Sequence, residues 1–377
     1  MRSVSPPVPA ELLARVNRDV ERSLLRARNG LRYVRGTHRP ALGTSPKDVV
    51  WRRDKAQLWR YRGGPVRFGQ PVVLVTSLVS RSYILDLLPG SSSVGFLRDR
   101  GFDVFMVDWG IPDELDAENS FETYVDEYLP QAIDAVVCET GATEITMVGY
   151  CLGAVLAMLF ASGHDAPIRN LVLLATPMDF REMGPMAAAL VQGRLDPDEL
   201  LDDTGNVPAD VLYSGFYMMA PTSVVAQNAT LLDNLWNDEF VKGFQAVSQW
   251  TRDQVPFPGA AFRQVVEHLI RRNVLMEGGW RLGGREIELT NTSATVLNVM
   301  ASADKVVPRP ASEPVGEKVG RPDRRQEMVV QGGHATFGTG RSAFKHTLPR
   351  LAEWMASHSD TRAKRRGRDA DQIPRVR

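Results

Sequence analysis

The chain has little cysteine, no net charge and no long apolar run, and each absence narrows what it can do. Two cysteines among 377 residues, Cys138 and Cys151, cannot build a disulfide framework and fit a reducing compartment. With 45 basic against 45 acidic residues, nothing drives the whole molecule toward nucleic acid or an anionic membrane. No run of about 18 uncharged apolar residues is present, so no membrane-spanning helix is expected. The opening MRSVSPPVPAELLARVNRDVERSL has scattered charges and lacks an apolar core of roughly 7–15 residues, so no secretory signal is expected. A soluble, cytoplasmic protein is the expectation. The charge is uneven only at the end. Residues 362–377 carry seven basic side chains against two acidic ones, the composition of a solvated tail.

What is present alternates between two periods. Residues 1–45 are rich in Pro and Arg, with one helical stretch from Ala10 to Asn29, and are expected to be an extension. VVWRRDKAQLWRY (49–61) alternates as two exposed strands would, while PVVLVTSL (71–78), FDVFMVDW (102–109), EITMVGY (144–150) and IRNLVLLATP (168–177) are compact apolar runs of the kind that form buried strands. Helical segments separate them: 93–101, then 120–139, where Ser120 with Thr123 is placed to cap the start, then CLGAVLAMLFASG (151–163). Strands and helices alternating at this spacing predict a mostly parallel sheet with flanking helices. From Asp179 to about Gly284 the text turns helical, Met-rich and aromatic, and strands return at SATVLNVMAS (293–302) and MVVQGGH (328–334), with a closing helix over 346–358. The fold class expected is α/β, an α/β-hydrolase fold. Its core comprises 46–180 and 285–360, a helical cap is inserted over 181–284, and a basic tail covers 361–377.

Gly149-Tyr150-Cys151-Leu152-Gly153 stands where a buried strand meets a helix. A nucleophile elbow needs that setting, because a sharp strand-to-helix turn exposes the side chain at its apex and demands small neighbours. The Leu152 N–H would face a developing oxyanion, and the helix N-terminus favours a thiolate. A bare G-x-C-x-G is weak, since free cysteine is more often a buried structural residue. Cys138, lying in a helical apolar stripe without an elbow, is expected to be such a core residue.

A nucleophilic thiol needs a base, and the base needs an orienting acid. In this fold the acid follows a late strand and the histidine follows the last one. Asp304 follows TVLNVMASA, and His334 follows MVVQGG; none of His38, His164, His268, His346 and His358 combines a preceding strand, a Gly-Gly turn and that chain order. A plain surface histidine and a plain turn aspartate are the competing readings. A second oxyanion donor is expected after the PVVLVT strand, at Val79.

These residues carry a resemblance. LVTSLVSRSYILDL (74–87), VFMVDWGIPD (104–113), GYCLGA (149–154), LVLLATPMDF (171–180), WTRDQVPFPG (250–259), TVLNVMASADKVVP (295–308) and VVQGGHATF (329–337) are similar, in order and spacing, to polyhydroxyalkanoate synthases. The likeness is strongest to the short catalytic subunit of the two-subunit class. It implies that Cys151 attacks the thioester of an (R)-3-hydroxyacyl-CoA, that His334 takes the thiol proton, and that Asp304 helps activate a 3-hydroxyl for ester formation. It further implies no metal and no cofactor, the CoA thioester being the substrate. The implied partners are a growing polyester chain, a second PhaE-like subunit and further copies of the chain, at the surface of polyester granules. In two places the sequence departs from the family. Lys305 stands where a histidine usually follows the acid, and Ala335-Thr336 stand where a small aliphatic residue and Gly usually follow the histidine. Two other readings share the fold: a Cys-dependent thioesterase or esterase, and a non-catalytic granule-associated homologue.

Overall fold

A computed structural model of the chain describes residues 10–36, 40–219 and 221–361. His38 and the basic stretch 362–377 lie outside the described residues. The first helix, α1 (Ala10–Arg35), runs longer than its periodicity predicts. A hairpin of β1 (Lys47–Arg53) and β2 (Ala56–Tyr61) follows, and then β3 (Val72–Val75), α2 (Ser93–Asp99), β4 (Val104–Asp108), α3 (Leu129–Thr140), β5 (Ile145–Tyr150), α4 (Leu152–Gly163) and β6 (Ile168–Leu174).

The chain next leaves the sheet for α5 (Pro185–Val191), α6 (Ala209–Met219), α7 (Pro221–Asn234), α8 (Asp238–Arg252) and α9 (Gly259–Gln264). It returns through β7 (Thr295–Ala301) and β8 (Arg325–Val330) and closes with α10 (Leu348–Ser357). Within the excursion, Asn206–Val207 pairs with Phe257–Pro258 in a two-residue ladder too short to leave a strand pattern in the sequence.

The eight strands form one sheet in the order β1-β2-β4-β3-β5-β6-β7-β8. β1 runs antiparallel to β2 and β2 antiparallel to β4, while all later pairings are parallel. The parallel strands are apolar on both faces because helices cover both. Val73, Val75, Phe105 and Val107 point into one apolar layer with α3 and α4, whereas Val72, Leu74, Val104 and Met106 point into the other with α2 and α10. Side-chain alternation along each strand thus divides one hydrophobic text between two cores. Helix α4 is buried at every position from Leu152 to Ser162, so its small residues let it lie close against the sheet.

Helix α3 corrects one expectation. Its first turns, Thr123–Tyr128, are wound wider than an α-helix, and Thr123 Oγ1 accepts the Ser120 N–H at 3.2 Å as foreseen. The buried stripe is then Leu129, Ala132, Ile133 and Val136. Cys138 is exposed, not core. Two residues beyond Val136 it has turned about 200° around the helix, onto the solvent side.

Candidate active site

The strand β5 ends at Tyr150 and α4 begins at Leu152, so Cys151 alone makes the turn. Its φ of 55° and ψ of −125° are unusual for any residue with a Cβ. Strain of this kind costs about 1–3 kcal/mol and persists only where the surroundings impose it. Here the Cys151 N–H donates to the Leu174 carbonyl at 2.9 Å, and the Cys151 carbonyl accepts from the Ala154 N–H at 2.9 Å. The flanking glycines are required by space. A Cβ on Gly149 would collide with the Ala154 backbone, and one on Gly153 with the carbonyl oxygens of Val75 and Thr76. Leu152 stands first in α4, where its N–H has no intrahelical acceptor.

The loops after β7 and β8 bring the other two residues to this turn. They are joined by backbone bonds, Ser302 N–H to Val330 O and Ala303 N–H to Gly332 O, both 2.8 Å. Asp304 Oδ2 meets His334 Nδ1 at 2.8 Å, and Asp304 Oδ1 accepts the N–H groups of Val306 and Val307 at 2.9 Å each. With Nδ1 on the acid, the ring's other nitrogen is left for Cys151, which lies close enough to raise the imidazole's pKa. Burial works against the imidazolium, but the carboxylate of Asp304 and then Cys151 outweigh it, and the His334 pKa rises from 6.5 to about 10. The structure therefore brings Cys151, His334 and Asp304 together at one turn, with His334 bonded to Asp304. Lys305 points into solvent beside it, and Thr336 turns its hydroxyl to the Gln331 carbonyl at 3.2 Å.

Tyr150 escaped the sequence reading, in which it was only the variable residue of the elbow. Its ring stacks on His334 with centroids 5.2 Å apart and planes at 29°, and its hydroxyl donates to the His334 carbonyl at 3.1 Å. Burial first, and then the neighbouring Cys151 and Asp304, push the phenol well above its ordinary pKa, so it stays a neutral donor. The residue before the nucleophile thereby holds the base.

The loop after β3 is held from two sides. Trp109 Nε1 donates to the Thr76 carbonyl at 2.8 Å, which accounts for the tryptophan of VDWG. From the inserted helices, Trp250 Nε1 donates to the Arg81 carbonyl at 2.8 Å, Tyr83 Oη donates to Asp253 Oδ2 at 2.8 Å, and Ser80 pairs with Gln254. Val79 lies in this turn, and its carbonyl accepts the Val255 N–H at 3.5 Å. A cavity of about 10 Å³, room for one water, opens beside Thr76, Ser77, Asp108 and Trp109. The WTRDQV text is thus a clasp between the inserted helices and the loop that carries Val79. The remaining described histidines sit elsewhere. His164 pairs with Asp126 at 2.8 Å beyond the far end of α4, His268 is lowered by burial and then by Arg272, and His358 stacks on Trp354.

Comparison with known proteins agrees with this architecture. Residues 88–340 match the family model of the alpha/beta hydrolase fold. The chain is 32% identical over 322 residues to the poly(3-hydroxyalkanoate) polymerase subunit PhaC of Thiocystis violacea, covering 84% of this chain and 90% of that one. The chain belongs to the poly(3-hydroxyalkanoate) polymerase family. The subunit of the same name from Haloferax mediterranei is 29% identical over 326 residues, covering 85% of this chain and 66% of that longer protein. Among solved structures, a thermophilic esterase from Thermogutta terrifontis aligns at a TM-score of 0.49 and 16% identity, over 84% of this chain and 100% of that one. No described helix is long and apolar enough to cross a membrane.

Proposed function

We propose that this polymerase-family chain joins (R)-3-hydroxyacyl units from CoA thioesters into a polyester, through an acyl group carried on Cys151. The observation that supports it most is the strained Cys151, set beside a histidine that Asp304 holds in place. The Cys151 thiol gives its proton to His334 as its sulfur attacks the thioester carbonyl, and the oxyanion is received by the N–H groups of Leu152 and Val79. The carbonyl–sulfur bond to CoA then breaks, and the departing CoA thiolate takes the His334 proton. A 3-hydroxyl next gives its proton to His334 as its oxygen attacks the Cys151 thioester. The ester forms as the carbonyl–sulfur bond to Cys151 breaks, and His334 returns the proton to the sulfur to regenerate the thiol.

Asp304 assists hydroxyl activation through His334 rather than by direct contact. Its side chain is 1% exposed, and both its oxygens already accept hydrogen bonds. No metal and no cofactor has a place in these steps. A second, PhaE-like subunit belongs to the same proposal, because the relatives themselves are named as subunits. Work at the surface of a granule follows from an insoluble product.

The test is incubation of the purified chain with 3-hydroxybutyryl-CoA, with and without a candidate second subunit, while CoA release and turbidity are followed. Turbidity rising with CoA release is the expected result. Soluble 3-hydroxy acid formed in step with CoA would show a thioesterase instead. An activity or cellular effect unchanged in Cys151→Ala would show a homologue that does not use its elbow.

A further inference from the structure

Backbone strain in this molecule gathers at one corner. Among the described residues, four that are not glycine have a positive φ: Asp54, Cys151, Ala175 and Asn273. Asp54 turns the hairpin between β1 and β2. The other three meet. Cys151 and Ala175 stand side by side at the ends of neighbouring strands, since β5 and β6 pair up to Tyr150 and Leu174 and the Cys151 N–H donates to the Leu174 carbonyl. Asn273 braces the loop that follows Ala175. Its Nδ2 donates to Asp179 Oδ1 at 2.8 Å, and its Oδ1 accepts the Phe180 N–H at 3.1 Å. Further bonds tie the loop to β7 and beyond. The Ala175 N–H donates to the Val299 carbonyl at 3.0 Å, and the N–H groups of Met178 and Asp179 both donate to the Ala311 carbonyl at 2.9 Å.

One polar group in this braced loop is left over. Thr176 directly follows the strained Ala175, is fully buried, and has a hydroxyl with no protein partner. A buried hydroxyl without a partner destabilises a fold, as does an alanine held at positive φ, and such costs cluster where function needs them. Ser77, at the end of β3 on the other side of Cys151, differs. Its unpartnered Oγ borders the water-sized cavity, which Thr176 does not line.

Thr176 also lies at the carboxyl end of the sheet, where ligands bind in open α/β folds. At sheet spacing its Cα is about 6 Å from that of Cys151. An acyl group on the Cys151 sulfur carries its 3-hydroxyl two carbons beyond the carbonyl, and with bonds of about 1.5 Å that hydroxyl reaches a neighbouring strand end. We propose that the Thr176 hydroxyl recognises the 3-hydroxyl of the acyl unit. Thr176 Oγ1 donates to the oxygen of that hydroxyl, which leaves free the proton that ester formation later removes. The inference rests on the reading that Cys151 carries a hydroxyacyl group, and it adds how the site selects one. An acyl group without the hydroxyl leaves Thr176 unpaired, and a site built around a hydroxyl rejects such a group.

The test is single-turnover acylation of Cys151 by (R)-3-hydroxybutyryl-CoA and by butyryl-CoA, followed by mass spectrometry of the quenched chain. The wild type should prefer the hydroxyacyl thioester. Thr176→Val keeps the shape and removes the hydroxyl, and it should lower that preference at least about tenfold. Thr176→Ser keeps a hydroxyl on the same carbon and should retain most of the preference. Thr176→Val should also melt no lower than the wild type, because an unpartnered buried hydroxyl is gone; a threonine with a merely structural role would lower the melting temperature and leave the preference alone. A preference unchanged in Thr176→Val would overturn the proposal, as would a loss in Thr176→Ser equal to that in the valine variant. A wild type that takes neither acyl group onto Cys151 would remove the underlying reading as well.

Discussion

Two parts of the molecule meet at Cys151 and are built differently. On the sheet side, the elbow and the loops after β7 and β8 are fixed by backbone bonds, by close approach at Gly149 and Gly153, and by an acid whose oxygens are all engaged. On the cap side, the loop carrying Val79 is tied down by a few side-chain bonds reaching across 169 and 170 residues of sequence. Ser77 and Gln254 there keep buried polar atoms with no protein partner. Groups that transfer protons gain from being fixed in advance, whereas a cover over a long acyl substrate must give way. On the proposed reading, the sheet side sets the chemistry and the cap side sets access.

That contrast can be broken most severely at the base. His334→Gln leaves the sulfur without a proton acceptor, and acylation by 3-hydroxybutyryl-CoA should fall about 10²–10⁴-fold in single-turnover measurements. Cys151→Ser should fold normally yet lose at least about 100-fold in turnover, because a hydroxyl needs far stronger activation than a thiol. Comparable turnover in the serine variant would contradict a thiolate nucleophile.

Asp304→Asn sharpens the electrostatic half of the comparison. The imidazolium persists below a pKa of about 10 and is lost as pH rises through it, so acylation should fall on that alkaline limb. Asp304 is the strongest group raising that pKa, so its removal should move the limb down toward 6.5. The same pairing stabilises the fold fully below 6.5, and its contribution disappears as pH climbs toward 10. A limb that does not move in the Asn variant would take Asp304 out of the pairing.

The smallest effect is expected on the cap side. Asp253→Asn weakens the bond from Tyr83, and Trp250→Phe removes the one to Arg81. Each such bond contributes about 1 kcal/mol, so kcat/KM should drop roughly fivefold while the His334 pH limb stays in place. A shift of that limb in either variant would show that the cap also tunes the base.

How much of this was legible in the sequence follows the same division. The buried strands declared themselves because parallel strands covered on both faces must be apolar throughout. Cys151, Asp304 and His334 could be singled out because each stands in the turn or loop after a strand, in an order that the sheet makes meaningful. Cys138 misled because it stands two residues beyond Val136, where the buried stripe ends, and so falls on the solvent side. Tyr150 left no signal, since a residue stacked on a partner 184 positions away looks like any other aromatic at a strand end. The clasp was visible only as text: WTRDQV stood out, but nothing local says that its tryptophan reaches the Arg81 carbonyl.

The most direct test is mass spectrometry of the chain quenched during turnover of 3-hydroxybutyryl-CoA. One or more hydroxyacyl units should be found on the peptide carrying Cys151, absent from Cys151→Ala and slow to form in His334→Gln. Release of CoA at full rate with Cys151 unmodified at every time point would contradict covalent catalysis at the elbow.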